Sequence, residues 1–163
     1  MTQTTVVRPA GPDDLGWILN LNRVHEEALS PLDADALSRL VSQALLVRVV
    51  EPRAGFVICL DQDADYDSPN FRWFRERYPR FAYVDRIAID AGVGLRGAGS
   101  ALYDTVFAEA GQLGFPVVCA EVNTDPPNPV SLAFHAKRGF ETAGEAHLGE
   151  RGKTVRYLAR QLD

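Results

Sequence analysis

Residues 83–103, with the sequence YVDRIAIDAGVGLRGAGSALY, decide the fold of this chain. Alternating bulky apolar residues predict a strand over 83–90, the glycines predict a tight turn over 91–98, and a helix follows from about Gly97. The N–H groups of a helix's first turn are unpaired and lie at the positive end of the helix dipole. The turn is therefore suited to bind an anion, and a phosphate-bearing ligand is its natural occupant.

Two common phosphate-binding loops do not fit this stretch. The loop of nucleoside triphosphatases needs a Gly-Lys pair followed by Ser or Thr, and residues 91–100 contain no lysine. A dinucleotide-binding fingerprint usually follows the first strand of a chain, whereas this turn comes after the midpoint. A plain connection between a strand and a helix is the remaining alternative.

The stretch resembles the acetyl-CoA-binding signature of the GNAT superfamily of N-acetyltransferases. In that signature an apolar-Ala-apolar triplet leads to the pattern Q/R-x-x-G-x-G/A. The triplet is matched by IAI at residues 87–89, and the second half by GAG at residues 97–99. With the usual loop length Gly94 stands where the family has Gln or Arg, which is a departure. A register that starts at Arg96 also satisfies the pattern, but it needs a longer turn.

A second motif lies between residues 128 and 140. After the fifth strand, GNAT proteins carry Asn-x-x-Ala, then an apolar-Tyr pair, then Gly-Phe. At the same spacing this chain has Asn128, Ser131, Phe134, His135, Gly139 and Phe140. Two motifs in this order are far more specific than either one, and the resemblance covers essentially the whole chain.

The composition favours one soluble domain spanning residues 1–163. The net charge is -5, and 46% of the residues are hydrophobic and 24% charged, which are ordinary globular values. The acidic balance argues against nucleic acid as a partner. The N-terminus reads as neither a signal peptide nor an apolar run of membrane length, so we expect a cytoplasmic protein without membrane contact. Cys59 and Cys119 lie in apolar runs and are expected to be reduced core residues.

The order of predicted elements is β-α-α-β-β-β-α-β-α-β-β. A short connection within residues 46–61 implies an antiparallel hairpin, and the strand-turn-helix-strand unit over residues 83–123 implies one parallel pair. We therefore expect an α/β (α+β) fold with a mixed, mostly antiparallel sheet of about seven strands and four main helices. This order matches the GNAT fold, which implies that the fourth and fifth strands splay apart.

An additional segment separates the third and fourth predicted strands. The Ser-Pro pair at residues 68–69 predicts the start of a short helix with an aromatic face. Long loops often form lids or binding loops, so Tyr66, Phe71 or Trp73 could contact an acceptor; packing in a local core is the favoured alternative. For residues 25–27, a solvated helix end is favoured over substrate contact.

The resemblance implies a ligand and its contacts. Acetyl-CoA would bind as the acyl-donor cosubstrate, with its pyrophosphate on the amides of the glycine turn and its pantetheine arm hydrogen-bonded to the exposed backbone of the splayed strands. No metal ion is expected. The implied contacts are Ile87, Ala88, Ile89, Gly94, Leu95, Arg96, Gly97, Ala98, Gly99, Ser100, Asn123, Asn128, Ser131, Phe134, His135 and Lys137.

Acetyl transfer to an amine needs a base, and two carboxylates are candidates. An alkyl amine has a pKa of about 10 in water and must lose a proton before it attacks the thioester. Glu121 lies in an apolar strand, where an unpaired carboxylate has a raised pKa, and some relatives carry their proposed base at this position. Asp85, expected on the same strand face as Tyr83 and Ile87, is the second candidate. A buried pair with Arg86 is the favoured alternative for Asp85.

The resemblance also implies which groups stabilise the other charges of the reaction. The departing thiolate, with a pKa of about 8.5, benefits from a proton. His135 stands where most members of the family carry tyrosine, so it would supply that proton; packing without proton transfer is the alternative. A backbone N–H around residues 87–89, where the fourth strand is expected to bulge, would bind the oxyanion.

We therefore expect an acetyl-CoA-dependent N-acetyltransferase that acts by direct attack of a primary amine, on either a small molecule or a peptide. The main alternative is a GNAT-like domain that binds acyl-CoA but has weakened catalysis and serves as a sensor or scaffold. A nucleotide-binding α/β domain is a third reading, which residues 128–140 oppose. A homodimer is one assembly that the family allows, because its C-terminal strands often pair between subunits.

Overall fold

The computed structural model describes residues 5–26, 28–149 and 152–163. The strands are β1 (Val7–Pro9), β2 (Leu46–Val50), β3 (Gly55–Asp61), β4 (Ala82–Ile89), β5 (Val117–Asp125), β6 (Glu141–Leu148) and β7 (Lys153–Gln161). The α-helices are α1 (Leu15–Val24), α2 (Ala34–Ser42), α3 (Pro69–Arg75), α4 (Ala98–Gln112) and α5 (Pro129–Lys137). The four main helices of the prediction are thus joined by a short fifth, α3, in the additional segment.

The helix starts follow from local sequence. Asp33 accepts a hydrogen bond from the backbone N–H of Ala36 (2.8 Å) at the start of α2. Ser68 and Asn128 cap α3 and α5 in the same way, and each is followed by a proline in the first turn. A side-chain oxygen at the N-cap satisfies a backbone donor that the helix leaves unpaired, and proline in the first turn loses no hydrogen bond.

The described residues form one seven-stranded sheet in the order β1-β2-β3-β4-β5-β7-β6. Neighbouring strands are antiparallel except for the β4–β5 pair, so the predicted mixed sheet is confirmed. Alternate residues of β3 pack into two separate cores, with Phe56 and Ile58 on one face and Val57 and Cys59 on the other. Helices α1 to α3 cover the first face and α4 the second, which explains why β3 is apolar throughout.

Strands β4 and β5 pair over a very short distance. Ala82 lies opposite Val118 and Tyr83 opposite Cys119, and no later pair joins the two strands among the described residues. Each strand stays paired on its other side, to β3 and to β7 respectively. A gap with unpaired backbone edges therefore opens between them, and the predicted splay is confirmed.

A bulge in β4 changes which side chains share a face. The pairing with β3 steps from Val84 to Arg86 and leaves Asp85 without a partner. Because an extra residue moves every later side chain to the opposite face, Tyr83 packs in one core and Ile87 against the other. The prediction that Asp85 lies on one face together with Tyr83 and Ile87 is therefore wrong. The bulge also lies earlier in β4 than predicted.

Both cysteines, Cys59 and Cys119, are free and buried, as predicted. Within the described ranges, no helix has the length and apolar content needed to cross a membrane.

Candidate active site

The gap between β4 and β5 opens into a cavity of about 270 Å³. Its walls come from residues 84–89 of β4 and 120–123 of β5, and further lining comes from the end of α1, the segment before α3, and helices α4 and α5. Because side chains alternate along a strand, Glu121 faces the same side of the sheet as α3, while His135 on α5 lies on the side covered by α4. The cavity thus connects the two sides of the sheet.

Glu121 is half-buried, and its carboxylate is held by neutral donors. The hydroxyl of Tyr83 lies 2.8 Å from both carboxylate oxygens, and Asn70 Nδ2 donates to Oε1 at 3.1 Å. Burial raises the pKa of Glu121 to about 8, and the two hydrogen bonds oppose that rise. The expected raised pKa is present, although the carboxylate is hydrogen-bonded rather than unpaired. A carboxyl group with this pKa becomes ionised as the pH passes through about 8, and in that form it can accept a proton.

The carboxylate of Asp85 forms an ion pair with Arg86. Its Oδ2 accepts from Arg86 Nε at 2.8 Å, and both side chains are 3% exposed. The Arg86 guanidinium also donates to Asn22 Oδ1 at 2.8 Å and to the carbonyl of Ser30 at 3.2 Å. These contacts tie β4 to α1 and to the chain that follows it. The buried pair with Arg86, predicted as the alternative for Asp85, is the arrangement found.

His135 is buried, 4% exposed, and both ring nitrogens are engaged. Nδ1 lies 2.8 Å from the carbonyl of Ser131, which can only accept, so Nδ1 carries the proton. Nε2 then accepts from the hydroxyl of Tyr103 at 2.6 Å. Burial lowers the pKa of His135, which favours this neutral form. In the neutral form the single N–H is therefore directed at a backbone carbonyl within α5.

The start of α4 provides unpaired backbone donors. Gly97 is the N-cap, with φ +76°, and no side chain caps the helix. A Cβ on Gly99 would lie 3.2 Å from the ring of Phe134, so α5 packs closely here. Arg138 donates to the hydroxyl of Ser100 in the first turn. Its Nε is buried and finds no hydrogen-bond partner in the described part of the chain.

The cavity brings together nine of the predicted site residues: Asp85, Ile87, Ala88, Ile89, Glu121, Asn123, Asn128, Ser131 and His135. The turn residues 94–100 do not line it. Phe134 packs against the start of α4, and Lys137 is exposed at the end of α5. The predicted set therefore divides into a cavity group and a group around the helix start.

Several residues of the site were not predicted. Asn70, Tyr83, Tyr103 and Arg138 make the contacts described above. For Asn70 a signal exists in the sequence, since it is a polar residue beside the aromatic stripe of a short helix. For Tyr103, a continuous apolar helix face gives no indication that its hydroxyl meets a histidine from another helix.

The residues considered as acceptor contacts, for which a local core or a solvated helix end was the favoured alternative, have mixed positions. Tyr66 and His25 line the cavity, and His25 Nε2 lies 3.1 Å from the carbonyl of Ile89. Phe71 is fully buried in the core, and Trp73 stacks on Tyr157 with ring centroids 4.2 Å apart. Glu27 lies outside the described residues.

Comparison with known proteins identifies a protein family that the sequence matches. Residues 26–140, well over half of the chain, match the model of the acetyltransferase (GNAT) family. No curated protein shows a significant match to the sequence.

Solved structures share the fold at low identity. Ard1 from Thermoplasma volcanium superposes with a TM-score of 0.78 at 16% identity, over 98% of each chain. The ribosomal-protein-alanine N-acetyltransferase from Brucella melitensis has a TM-score of 0.73 at 18% identity, over 96% of this chain and 99% of its own. The structure of yncA from Salmonella typhimurium, solved with its cofactor acetyl-CoA, has a TM-score of 0.70 at 19% identity, over 99% of this chain and 95% of its own. With the fold shared and the family model matched across both motifs, this chain belongs to the GNAT family of acetyltransferases.

Proposed function

We propose that this protein transfers an acetyl group from acetyl-CoA to a primary amine by direct attack. The observation that carries the proposal is the position of Glu121, a carboxylate with a pKa of about 8 beside the gap between β4 and β5. The structural relatives include an enzyme solved with acetyl-CoA and a complex solved with a peptide and CoA. These relatives support a CoA thioester as donor, and the complex with a peptide supports a peptide amine as one acceptor; a small-molecule amine is the other acceptor proposed.

The residues present suit such a donor. The uncapped first turn of α4 offers backbone amides to the pyrophosphate, and Arg138 adds a cation whose Nε lacks a partner among the described residues. The unpaired edges of β4 and β5 offer hydrogen bonds to the amides of the pantetheine arm, as an added strand would. The thioester would then lie in the gap, between Glu121 on one side of the sheet and His135 on the other.

Glu121 would accept the proton of the attacking amine. The amine nitrogen bonds to the thioester carbonyl carbon, the C–S bond breaks, and the thiolate of CoA leaves. Asp85 is less suited to this role, because its buried carboxylate is already paired with Arg86. A backbone N–H of β4 facing the gap would bind the oxyanion.

A domain that binds acyl-CoA with weakened catalysis is the second candidate. The observation that favours it is the direction of the single N–H of His135, which points at the Ser131 carbonyl rather than at a leaving group.

Amine-dependent release of CoA separates the two candidates. The purified protein is mixed with acetyl-CoA and with alkylamines, amino acids or peptides with free N-termini, and the free thiol is followed over time. We expect thiol release that depends on the amine, together with a product heavier by one acetyl group. Tight acetyl-CoA binding without release for any amine would favour the sensor or scaffold, and absence of CoA binding would contradict both.

A further inference from the structure

Asn70 is a buried polar side chain on an otherwise aromatic helix face. Asn70 is 6% exposed, and Phe71 and Phe74 of the same helix are fully buried in the core beneath α3. Burying an amide without hydrogen bonds costs free energy, so the partners of Asn70 explain its place. Both partners belong to the sheet rather than to α3.

The two ends of the Asn70 amide contact different strands. Nδ2 donates to Glu121 Oε1 on β5 at 3.1 Å, and Oδ1 accepts from the hydroxyl of Tyr157 on β7 at 2.9 Å. An ionised carboxylate can only accept, so the N–H end must face Glu121 when that group is charged. The hydroxyl of Tyr157 can donate or accept, and by donating to Oδ1 it gives the amide oxygen a partner and supports this orientation.

Tyr157 is itself held firmly. Its ring stacks on Trp73 at 4.2 Å and meets Phe74 edge-on at 5.2 Å, and it is 1% exposed. Trp73 in turn lies so close to Gly144 that a Cβ there would come within 2.4 Å of the indole. Helix α3 is thus packed closely against β6 and β7, beside the Tyr157 hydroxyl that Asn70 contacts.

The charged groups near Glu121 leave the carboxylate dependent on neutral donors. On β4, Asp85 raises and Arg86 lowers its pKa, and these two neighbours pair with each other. Tyr83 on β4 donates directly, while Tyr157 on β7 and Tyr103 on α4 lie close enough to interact electrostatically. No cation contacts the carboxylate among the described residues, so each neutral donor matters to the charged form.

We propose that Asn70 is a positioning residue whose amide, oriented by Tyr157, holds the Glu121 carboxylate at the gap and favours its ionised form. The inference rests on the proposed function, because the ionised carboxylate serves catalysis only if Glu121 accepts the amine's proton. Tyr83 bridges both oxygens with a single O–H and Asn70 adds a second donor to Oε1. Oε2 is consequently the less saturated atom, and it is the one left to receive a proton.

Asn70→Leu removes the donor while keeping a side chain of similar size. Titration of Glu121 is followed by NMR of protein labelled with ¹³C at the glutamate carboxyls, with Glu121→Gln used to assign the signal. We expect the Glu121 midpoint to rise by about one pH unit, since a hydrogen bond to a charged group has about that effect. Tyr157→Phe should raise the midpoint less, because Asn70 remains but is free to turn.

Arg72→Ala is the matched control on the same helix. Arg72 lies on the exposed side of α3 and pairs with Asp67, so this variant should leave the Glu121 midpoint unchanged. If Asn70→Leu does not fold, Tyr157→Phe carries the test alone. Unchanged midpoints in folded Asn70→Leu, or in Tyr157→Phe when only that variant folds, would overturn the inference.

The rate profile separates this inference from the proposed function. In an active enzyme, Asn70→Leu should move the pH at which kcat/KM rises by the same amount as the NMR midpoint, with the KM for acetyl-CoA unchanged. A midpoint that moves in a protein without amine acetylation would support the Asn70 contact and contradict the proposed function. A lower rate at every pH with an unmoved midpoint would make Asn70 a structural residue only.

Discussion

At the residue scale, the chemistry of this protein depends on the hydrogen bonds of a half-buried carboxyl group and a buried imidazole. Glu121 faces only neutral donors, and burial raises its pKa to about 8. His135 pairs with Tyr103 and with the Ser131 carbonyl, and burial lowers its pKa. Both groups are therefore largely neutral at pH 7, and each would have to gain or lose a proton to act.

Glu121→Gln keeps the shape of the side chain but cannot accept a proton. We expect kcat/KM to fall by about 10²-fold or more, with the loss shrinking as the pH approaches the pKa of the free amine. In the wild type, kcat/KM should rise as the pH passes through about 8, since the ionised carboxylate accumulates there. Stopped-flow or continuous thiol release across pH 6 to 10 measures both. A loss of equal size at every pH would instead indicate that Glu121 only positions the substrate.

His135→Phe removes the acceptor for a buried hydroxyl. We expect slower turnover with little change in CoA affinity, and a loss of stability of about 1–3 kcal/mol, because Tyr103 is left without its partner. Tyr103→Phe is the companion variant, since it removes the hydroxyl and leaves the imidazole in place. Turnover numbers of His135→Phe equal to the wild type across pH 6 to 9 would make the histidine a packing residue.

At the scale of elements, the proposed donor site has two parts: the start of α4, and the gap between β4 and β5. The helix start has unpaired amides and lies beside Arg138, whereas the gap has unpaired strand edges. Positive φ at Gly94 and Gly97 lets the chain reverse between the end of β4 and the helix. A side chain at either position would strain the turn.

Ser100→Asp should affect the helix and the ligand in opposite directions. A carboxylate in the first turn stabilises a helix through its dipole, and here it would also pair with Arg138. The same charge would repel the pyrophosphate of CoA. We expect a melting temperature equal to or above that of the wild type, and a loss of CoA binding by calorimetry. Gly99→Asp should also lose binding, but with lower stability, because its Cβ meets Phe134. CoA affinity unchanged in Ser100→Asp would contradict a phosphate site here.

At the scale of the whole molecule, the raised pKa of Glu121 lowers stability in alkaline solution. The unfolded chain loses this proton near pH 4.5 and the folded chain near pH 8, so between these values the folded state holds the extra proton and stability falls as the pH rises. Below pH 4.5 both states are protonated and the difference vanishes. The raised pKa of Glu121 therefore lowers the free energy of unfolding at alkaline pH.

Glu121→Gln should remove that dependence. We expect its melting temperature to exceed that of the wild type at pH 9, and this difference to be smaller at pH 5. Thermal unfolding followed by circular dichroism at the two pH values measures it. A difference that did not grow with pH would mean that the Glu121 carboxyl titrates alike in the folded and unfolded chains.

The amino-acid sequence by itself determined the order of the elements, the mixed sheet, the helix starts at Asp33, Ser68 and Asn128, and the family. These features depend on local patterns: side-chain periodicity, caps, prolines and the glycine turn. The sequence also indicated Glu121, because a carboxylate in an apolar strand stands out from its neighbours, whereas His135 was indicated by the resemblance, through its position in the second motif.

Only the tertiary structure decided what those side chains contact. The bulge at Asp85 arises from pairing with β3, and it reverses the strand faces that alternation predicts. The bonds from Tyr83 and Asn70 to Glu121, and from Tyr103 to His135, join residues 32 to 51 positions apart. Such contacts form when separate elements pack, so no short-range pattern records them, and they determine which groups carry charge.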